Sequence, residues 1–142
     1  SQDFKGVKLA GADFTASNLE SCDLRNADLR NANFSNANLS ATYLKGADLR
    51  GANFDGANMN GAYLNEADLR GVENFSLEAV RMCRTLHHAA LDTTFREEIE
   101  FCCSDKLKTA SWYWHDNEWA DERGKKRRRK AKFESAPRAG LD

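Results

Sequence analysis

The sequence contains little proline, little cysteine and no long apolar run. One proline and four cysteines occur in 142 residues, too few cysteines for a scaffold held together by disulfides. No stretch approaches the roughly 18 apolar residues of a membrane-spanning helix. The chain also starts without a charged-then-apolar leader. We therefore expect a water-soluble protein and favour the cytoplasm as its compartment.

The sequence also lacks an excess of charge of one sign. Lys and Arg total 21 and Asp and Glu total 22, which gives a formal net charge of −1. Such a chain is not expected to bind DNA or an anionic membrane through its overall charge. The charge is unevenly distributed, however, because residues 123–142 hold nine basic and two acidic side chains. An anionic partner for this tail stays open.

A large apolar residue recurs at every fifth position of the first half of the chain. A period of five advances about 140° per step on an α-helix, so these residues would form no stripe on a helix. A smaller residue, mostly Ala, stands two positions before each large one. Gly or Asn is frequent two positions after the large one. Gly and Asn tolerate tight or left-handed backbone. The pattern predicts a solenoid whose chain turns a corner every five residues.

A second period of 20 residues predicts four sides per coil. Phe14, Phe34 and Phe54 share this spacing, as do Tyr43 and Tyr63. Like residues would then stack about 4.8 Å apart, the spacing of neighbouring strands. We expect the following residues to form the core: Phe14, Leu19, Leu24, Leu29, Phe34, Leu39, Leu44, Leu49, Phe54, Met59, Leu64, Leu69, Ala27, Ala47 and Ala67.

The repeated motif is Ala-(Asp/Asn)-(Leu/Phe)-X-X, as in Ala27-Asp28-Leu29 and Ala47-Asp48-Leu49. It resembles the repeat of the pentapeptide repeat family over about residues 2–73. The resemblance implies a mainly β fold, a right-handed quadrilateral parallel β-helix of about 3.5 coils, over residues 1–75. Lys8, Tyr43 and Tyr63 depart from the family pattern at outward positions, so they alter the surface and not the fold.

The repeat pattern ends near Phe75, and helical spacing follows. An uncovered coil would leave an edge of unpaired backbone. Ser76 is a suitable helix N-cap, and the spacing predicts helices near 77–91, 94–103 and 106–130. We expect residues 76–132 to form an α-helical cap or hairpin, followed by a flexible tail over 133–142.

Several aromatic and basic residues are candidates for binding a partner. Exposed aromatic side chains often anchor protein interfaces, and a basic run suits an anionic surface. Alternatives for the basic run are a solvated helix end, a nuclear-type address, contact with nucleic acid, or a juxtamembrane anchor. No aromatic interleaves the run, so base stacking is unsupported. The candidates are Trp112, Trp119, Tyr43, Tyr63, Lys125, Lys126, Arg127, Arg128, Arg129 and Lys130.

Neither a catalytic nor a metal-binding pattern stands out. The sequence has no G-x-S-x-G, no P-loop and no C-x-x-C, so we expect no enzyme activity, no cofactor and no metal. Cys83, Cys102 and Cys103 are expected to be free thiols, and a disulfide from Cys83 to Cys102 or Cys103 is the alternative.

The expected function is that of a non-catalytic protein–protein interaction or scaffold module. A homodimer is left open, and the partner is not identified. One alternative is a DNA mimic that resembles the gyrase-protecting members of the family, although residues 1–74 carry seven basic groups beside ten acidic ones. The other is the cytosolic part of a membrane-associated pentapeptide protein, from a weak resemblance at residues 109–113.

Overall fold

The structure, a computed structural model, describes residues 2–108, 118–120 and 126–128. The chain divides into two units, residues 1–108 and 109–142. The first contains helices α1 (Leu77–Met82) and α2 (Thr93–Cys102) and a 3-10 helix (Ser104–Leu107). The second contains strands β1 (Glu118–Ala120) and β2 (Lys126–Arg128). None of the helices in the described part is long and apolar enough to cross a membrane.

Parallel bridges between residues 20 positions apart build the first unit. They run from Asp3–Asp23 to Asn53–Glu73, one bridge for each side of a coil. The amide of Asp48 donates to the Ala27 carbonyl of the preceding coil, and the amide of Leu49 donates to Asp68 of the next, both at 2.9 Å. Each coil is therefore hydrogen-bonded on both sides, as the 20-residue period predicts.

The central apolar residues fill the interior of the column. Of the fifteen residues expected in the core, all except Phe14 are buried. Phe14 is only partly buried because it lies in the first coil, which has a described coil on one side only. The rings of Phe14, Phe34 and Phe54 stack with centroids 5.2 and 5.3 Å apart. Successive coils thus place identical side chains in van der Waals contact.

The corners adopt left-handed backbone, and two glycines there are also required by space. Gly46 has φ of 71° and Gly51 has φ of 73°. A Cβ on either glycine would collide with the side-chain oxygen of Asn26 or Asn31 in the coil before it. At these two corners, Gly above an Asn of the preceding coil is therefore a packing requirement as well as a conformational one.

The column continues beyond the predicted end of the repeats. Tyr63 bridges to Thr85 and Asp68 to Ala90, a spacing of 22 residues. The predicted helix over 77–91 is wrong after Met82, where α1 ends. Leu86 is fully buried and His88 has φ of 59°, as at other corners. Coil-like structure therefore extends to Ala90, within the unit of residues 1–108.

Helix α1 replaces part of one coil. Asn74 occupies the position of a central apolar residue, and Phe75 is buried in its place, 5.3 Å from Phe54 between ring centroids. Ser76 then caps α1 by accepting a hydrogen bond from the Ala79 amide at 3.2 Å. The one-residue shift at Phe75 and the helical turn of α1 together account for the change from 20 to 22 residues.

The described residues 118–120 and 126–128 form strands and not the helix predicted over 106–130. Strands β1 and β2 pair antiparallel, with Glu118 opposite Arg128 and Ala120 opposite Lys126. The basic run places like charges three and four residues apart, which destabilises a helix, and Gly124 disfavours a helix interior by about 1 kcal/mol.

The depth of the core predicts a gradient of stability along the column. Leu49→Ala should lower the free energy of unfolding by about 2–5 kcal/mol, since Leu49 is fully buried and its truncation leaves a cavity. Leu9→Ala, at the same position two coils earlier, should cost less because Leu9 is only partly buried. Urea denaturation measures both. Equal losses would contradict the assignment of Leu9 to a solvent-accessible edge.

Candidate interaction surface

The outward side chains form columns that run along the sides of the β-helix. On each side, the residue before the central apolar one and the residue after it point outward, and they recur once per coil. A column is therefore a set of side chains held about 4.8 Å apart by the backbone ladder. Because the backbone fixes these positions, the sequence of each column decides the chemistry of that side.

One side of the β-helix carries Tyr43 and Tyr63, two of the residues predicted to bind a partner. The rings of Tyr43 and Tyr63 stack with centroids 4.9 Å apart and an interplanar angle of 11°. Tyr43 is 42% exposed, and Tyr63 is partly buried. Tyr43 is one of three large apolar side chains that the described residues leave exposed, with Met82 and Phe101. The stack thus presents two adjacent aromatic rings on a rigid support.

Ion pairs border the tyrosine stack along the same side. In the coil before it, Arg25 Nη2 lies 2.6 Å from Asp23 Oδ2. Beside it, Lys45 Nζ lies 3.8 Å from Glu66 Oε1. Each basic group is balanced by an acidic one, so the side combines an apolar centre with a polar, nearly neutral rim.

The next side is a ladder of alternating aspartate and arginine. Asp48 accepts two hydrogen bonds from the Arg50 guanidinium, at 2.8 Å from Nε and 2.6 Å from Nη2. Between coils, Arg30 Nε lies 3.8 Å from Asp48 Oδ2. The pairs Asp28–Arg30 and Asp68–Arg70 repeat this arrangement. Every arginine of the ladder is engaged by a carboxylate, so the ladder offers no unpaired basic group to an anion.

These pairs shift the titration of their members. The pKa of Asp23 is held at about 2 by the hydrogen bond from Arg25, and that of Asp28 at about 2 by the hydrogen bond from Arg30. The Asp48 carboxylate in turn raises the pKa of Arg50. The pairs therefore stay ionised from mildly acidic to strongly basic pH.

The remaining two sides are dominated by asparagine. Asn38 donates to the Oδ1 of Asn18 at 3.2 Å, and Asn58 donates to that of Asn38 at 3.3 Å. Each of these amides also accepts a backbone N–H two residues on, as Asn58 does from Asn60 at 3.0 Å. Their polar groups are satisfied within the column, and no aromatic side chain points outward there among residues 2–73.

A groove that the sequence did not reveal lies where α1 and α2 meet the column. It has a volume of about 510 Å³, and its lining combines the rings of Phe75 and Phe95 with the carboxylates of Asp55 and Asp92. Phe75 and Phe95 meet edge to face, with centroids 6.1 Å apart. Residue spacing in the sequence does not predict this groove, because the groove forms only when α2 packs back against the column.

The cysteines and histidines do not assemble a metal site in the described part of the chain, where no three such ligands converge. Cys83 is buried, which raises its pKa to about 12. His87 stacks on His88 with centroids 3.7 Å apart, and its Nδ1 lies 3.3 Å from the Leu107 carbonyl oxygen. All four cysteines are free thiols, so the alternative of a Cys83 disulfide is not realised here.

Among the described residues, the structure brings together two sets of predicted partner-binding residues: Tyr43 stacks on Tyr63, and Trp119 pairs with Arg127. Trp119 lies on β1, and Lys126, Arg127 and Arg128 lie on β2. The other candidates fall outside the described residues: Trp112, Lys125, Arg129 and Lys130.

Comparison with known proteins identifies the repeats. A family model for pentapeptide repeats matches residues 3–36 and 32–71. No curated protein matches the chain. A pentapeptide repeat protein from the cyanobacterium Cyanothece 51142 is 34% identical, with a TM-score of 0.49. The match covers 63% of this chain and 54% of that one, so the chain spans about half the length of this relative.

Two further solved structures are similar. A pentapeptide repeat protein from Nostoc Pcc 7120 is 30% identical over 63% of this chain and 80% of its own, with a TM-score of 0.35. QnrB1, a plasmid-mediated fluoroquinolone resistance protein, is 22% identical over 70% of this chain and 64% of its own, with a TM-score of 0.33. The chain belongs to the pentapeptide repeat family, whose members form right-handed quadrilateral β-helices.

Acid should weaken the column as its paired aspartates gain protons. The pKa of Asp28 is about 2 in the folded chain against an ordinary 3.8. A carboxylate with a depressed folded pKa gives stability that is complete above its unfolded pKa and lost as the pH falls through the folded one. The free energy of unfolding should therefore drop between about pH 4 and pH 2, as measured by urea denaturation.

The matched variant for this test is Arg30→Gln, which removes the main donor to Asp28 and keeps most of the side-chain volume. Its stability should depend less steeply on pH over the same interval, since the Asp28 pKa would return toward its ordinary value. An unchanged slope in this variant would show that the acid sensitivity does not arise from the ladder.

Proposed function

We propose that this pentapeptide repeat protein is a non-catalytic protein–protein interaction module that docks a partner on the side carrying Tyr43 and Tyr63. The observation that supports the proposal most directly is the tyrosine stack, because it places two aromatic rings at outward positions where most repeats have Asp or Asn. Aromatic side chains are enriched among the residues that dominate binding energy at interfaces. The surface defined by Tyr43, Tyr63, Arg25 and Lys45 is called the tyrosine face.

The rigidity of the column supports the same function. Both coils that carry the tyrosines are hydrogen-bonded to their neighbours: the Tyr43 amide donates to Cys22 at 2.9 Å, and the Leu44 amide donates to Tyr63 at 2.8 Å. The central residues beneath, Leu44 and Leu64, are fully buried. The rings are thus pre-positioned, and binding costs little conformational entropy.

The charged rim favours a protein over a polyanion as the partner. Arg25 and Lys45 are both paired with carboxylates, so a phosphate would meet positive charge that is already balanced by a neighbouring negative charge. Paired charges around an aromatic centre resemble the polar rim and apolar core of protein interfaces. The aspartate–arginine ladder on the next side extends this neutral surface.

The segment 76–108 acts in this proposal as a cap for the last coil. The Leu86 amide donates to the Lys106 carbonyl at 2.7 Å, and Lys106 Nζ donates to the Cys83 carbonyl at 2.9 Å. Ile99 of α2 and Cys103 are buried in the same core. These contacts occupy backbone groups that an uncovered edge would present to other chains.

Duplex mimicry is the less favoured alternative. A DNA mimic needs a dense negative surface, since duplex DNA carries one charge per roughly 1.7 Å of its axis. Here Arg30, Arg50 and Arg70 are paired with the aspartates of one side. Within residues 2–73 the asparagine sides carry acidic groups at Asp13, Glu20, Asp55 and Glu73, a sparser set of charges than a duplex presents. The likeness to QnrB1 is one of fold alone.

Replacing both tyrosines should abolish partner binding without loss of stability. The double variant Tyr43→Asn/Tyr63→Asn introduces the residue that other repeats carry at this position, where its side chain accepts the N–H two residues on, as Asn58 does. With the full chain as bait, affinity capture followed by mass spectrometry should lose the specific partner, and the urea midpoint should stay close to that of the unchanged chain.

The matched control moves the aromatic pair to another side. Asn38→Tyr/Asn58→Tyr in the double variant creates an equally spaced pair on an asparagine side, and it should not restore capture. Capture that survives the loss of Tyr43 and Tyr63, or that follows the pair to the new side, would refute the tyrosine face as the specific docking surface.

A DNA supercoiling assay distinguishes the alternative function, that of a DNA mimic, from the proposed one. Purified gyrase, challenged with a fluoroquinolone, should show the same inhibition with and without the chain, because the neutralised ladder makes a poor duplex mimic. Dose-dependent protection of supercoiling would instead establish the DNA-mimic class.

A further inference from the structure

Two adjacent cysteines meet at the end of α2. The Sγ atoms of Cys102 and Cys103 lie 2.9 Å apart, less than 1 Å beyond a disulfide bond of about 2.04 Å. Cys102 is exposed, whereas Cys103 is 3% exposed and belongs to the core cluster. One thiol of the pair is thus open to a reagent and the other is shielded beside it.

The end of the helix explains why neighbouring thiols meet. Successive side chains of an α-helix point about 100° apart, so adjacent cysteines within one diverge. Helix α2 ends at Cys102, and Cys103 leaves the helical conformation with φ of −144° and ψ of 39°. Its amide donates to Ile99 at 2.7 Å, and its carbonyl accepts from the Lys106 amide at 2.9 Å. The juxtaposition is therefore held by backbone hydrogen bonds on both sides.

We propose that Cys102 and Cys103 form a vicinal dithiol that small disulfides oxidise reversibly to a cyclic disulfide. The exposed Cys102, as thiolate, attacks one sulfur of the small disulfide, forms a mixed disulfide and releases the first small thiol. Cys103 then attacks the Cys102 sulfur and releases the second. The S–S bond of the reagent is broken, one S–S bond is formed in the chain, and the two cysteine protons end on the two released thiols.

The order of the two steps follows from the surroundings of each sulfur. Burial and the contact with Cys102 raise the pKa of Cys103, which disfavours its thiolate as the first nucleophile. Once Cys102 carries the mixed disulfide, Cys103 attacks within the same molecule, where proximity replaces a bimolecular encounter. Cys22 and Cys83 are both buried, so the reaction is confined to the pair.

The ring that a disulfide between Cys102 and Cys103 would close is strained, so the oxidised form is easily reduced. Adjacent Cα atoms lie about 3.8 Å apart across a trans peptide, below the usual range of roughly 4.4–6.8 Å for disulfide-linked residues. A disulfide formed under such strain is readily reduced. The pair therefore acts as a reversible redox site and not as a permanent cross-link.

Mass spectrometry of the full chain tests whether Cys102 and Cys103 are oxidised reversibly. The reduced protein is incubated with oxidised glutathione, its free thiols are alkylated without denaturation, and trypsin is added. Cleavage after Arg96 and Lys106 releases residues 97–106, which contain this pair and no other cysteine. We expect this peptide to lose two hydrogens, to carry neither glutathione nor alkyl group, and to regain both thiols with dithiothreitol.

The variant Cys103→Ser separates the two steps. It should accumulate glutathione on Cys102, since the attacking second thiol is gone, while circular dichroism shows that the fold is retained. Cys102→Ser should acquire no glutathione under the same conditions. A stable glutathione adduct on Cys102 in the unchanged chain, or disulfide-linked dimers through Cys102, would overturn the proposal.

Discussion

Backbone hydrogen bonds between residues 20 positions apart are the constraint on which the whole first unit depends. Each side of a coil contributes a single bridge residue, so a side is only two or three residues long before the chain turns. Such a short side could not hold itself flat. It is fixed because amides point alternately to the coil before and the coil after, as Asp48 and Leu49 do. Stacking satisfies the backbone, and the period of the sequence makes the stacking possible.

The same backbone hydrogen bonds also arrange the outward side chains, because they place residues 20 positions apart directly above one another on the surface. Once the spacing of coils is set, aspartate and arginine alternate along one side, asparagine amides bridge along others, and Tyr43 stacks on Tyr63. Most exposed ion pairs contribute little to stability. In the proposed function their larger effect is on recognition, because a neutral ladder leaves the aromatic stack as the distinctive feature of the column. The proposed function thus follows from a departure from the repeat, at the two positions where tyrosine replaces the usual polar residue.

The end of the column departs from the five-residue period. At Asn74 the apolar period fails, Phe75 enters the core one residue late, and α1 carries the chain outward before Thr85 and Ala90 return to the ladder. The return brings α2 and the 3-10 helix against the last coil, where Lys106 accepts the Leu86 amide. Both the groove between Phe75 and Phe95 and the contact between Cys102 and Cys103 arise in this segment.

The sequence by itself determined the coil length, the inward residues and the outward columns, because a strict five-residue period leaves one arrangement in which Leu49 and its equivalents share a core. It also indicated Ser76 as a helix start. It could not show that Leu86 and Ala89 rejoin the column, since their local spacing suits a helix as well as a coil. Only the hydrogen bonds of Thr85 and Ala90 with Leu64 and Ala67 decide between the two. The pairing of β1 with β2 in place of a helix has the same cause. The tertiary structure alone placed the two sulfurs together, because the helix end that turns Cys103 back toward Cys102 is held by Ile99 and Lys106, contacts that local spacing does not contain.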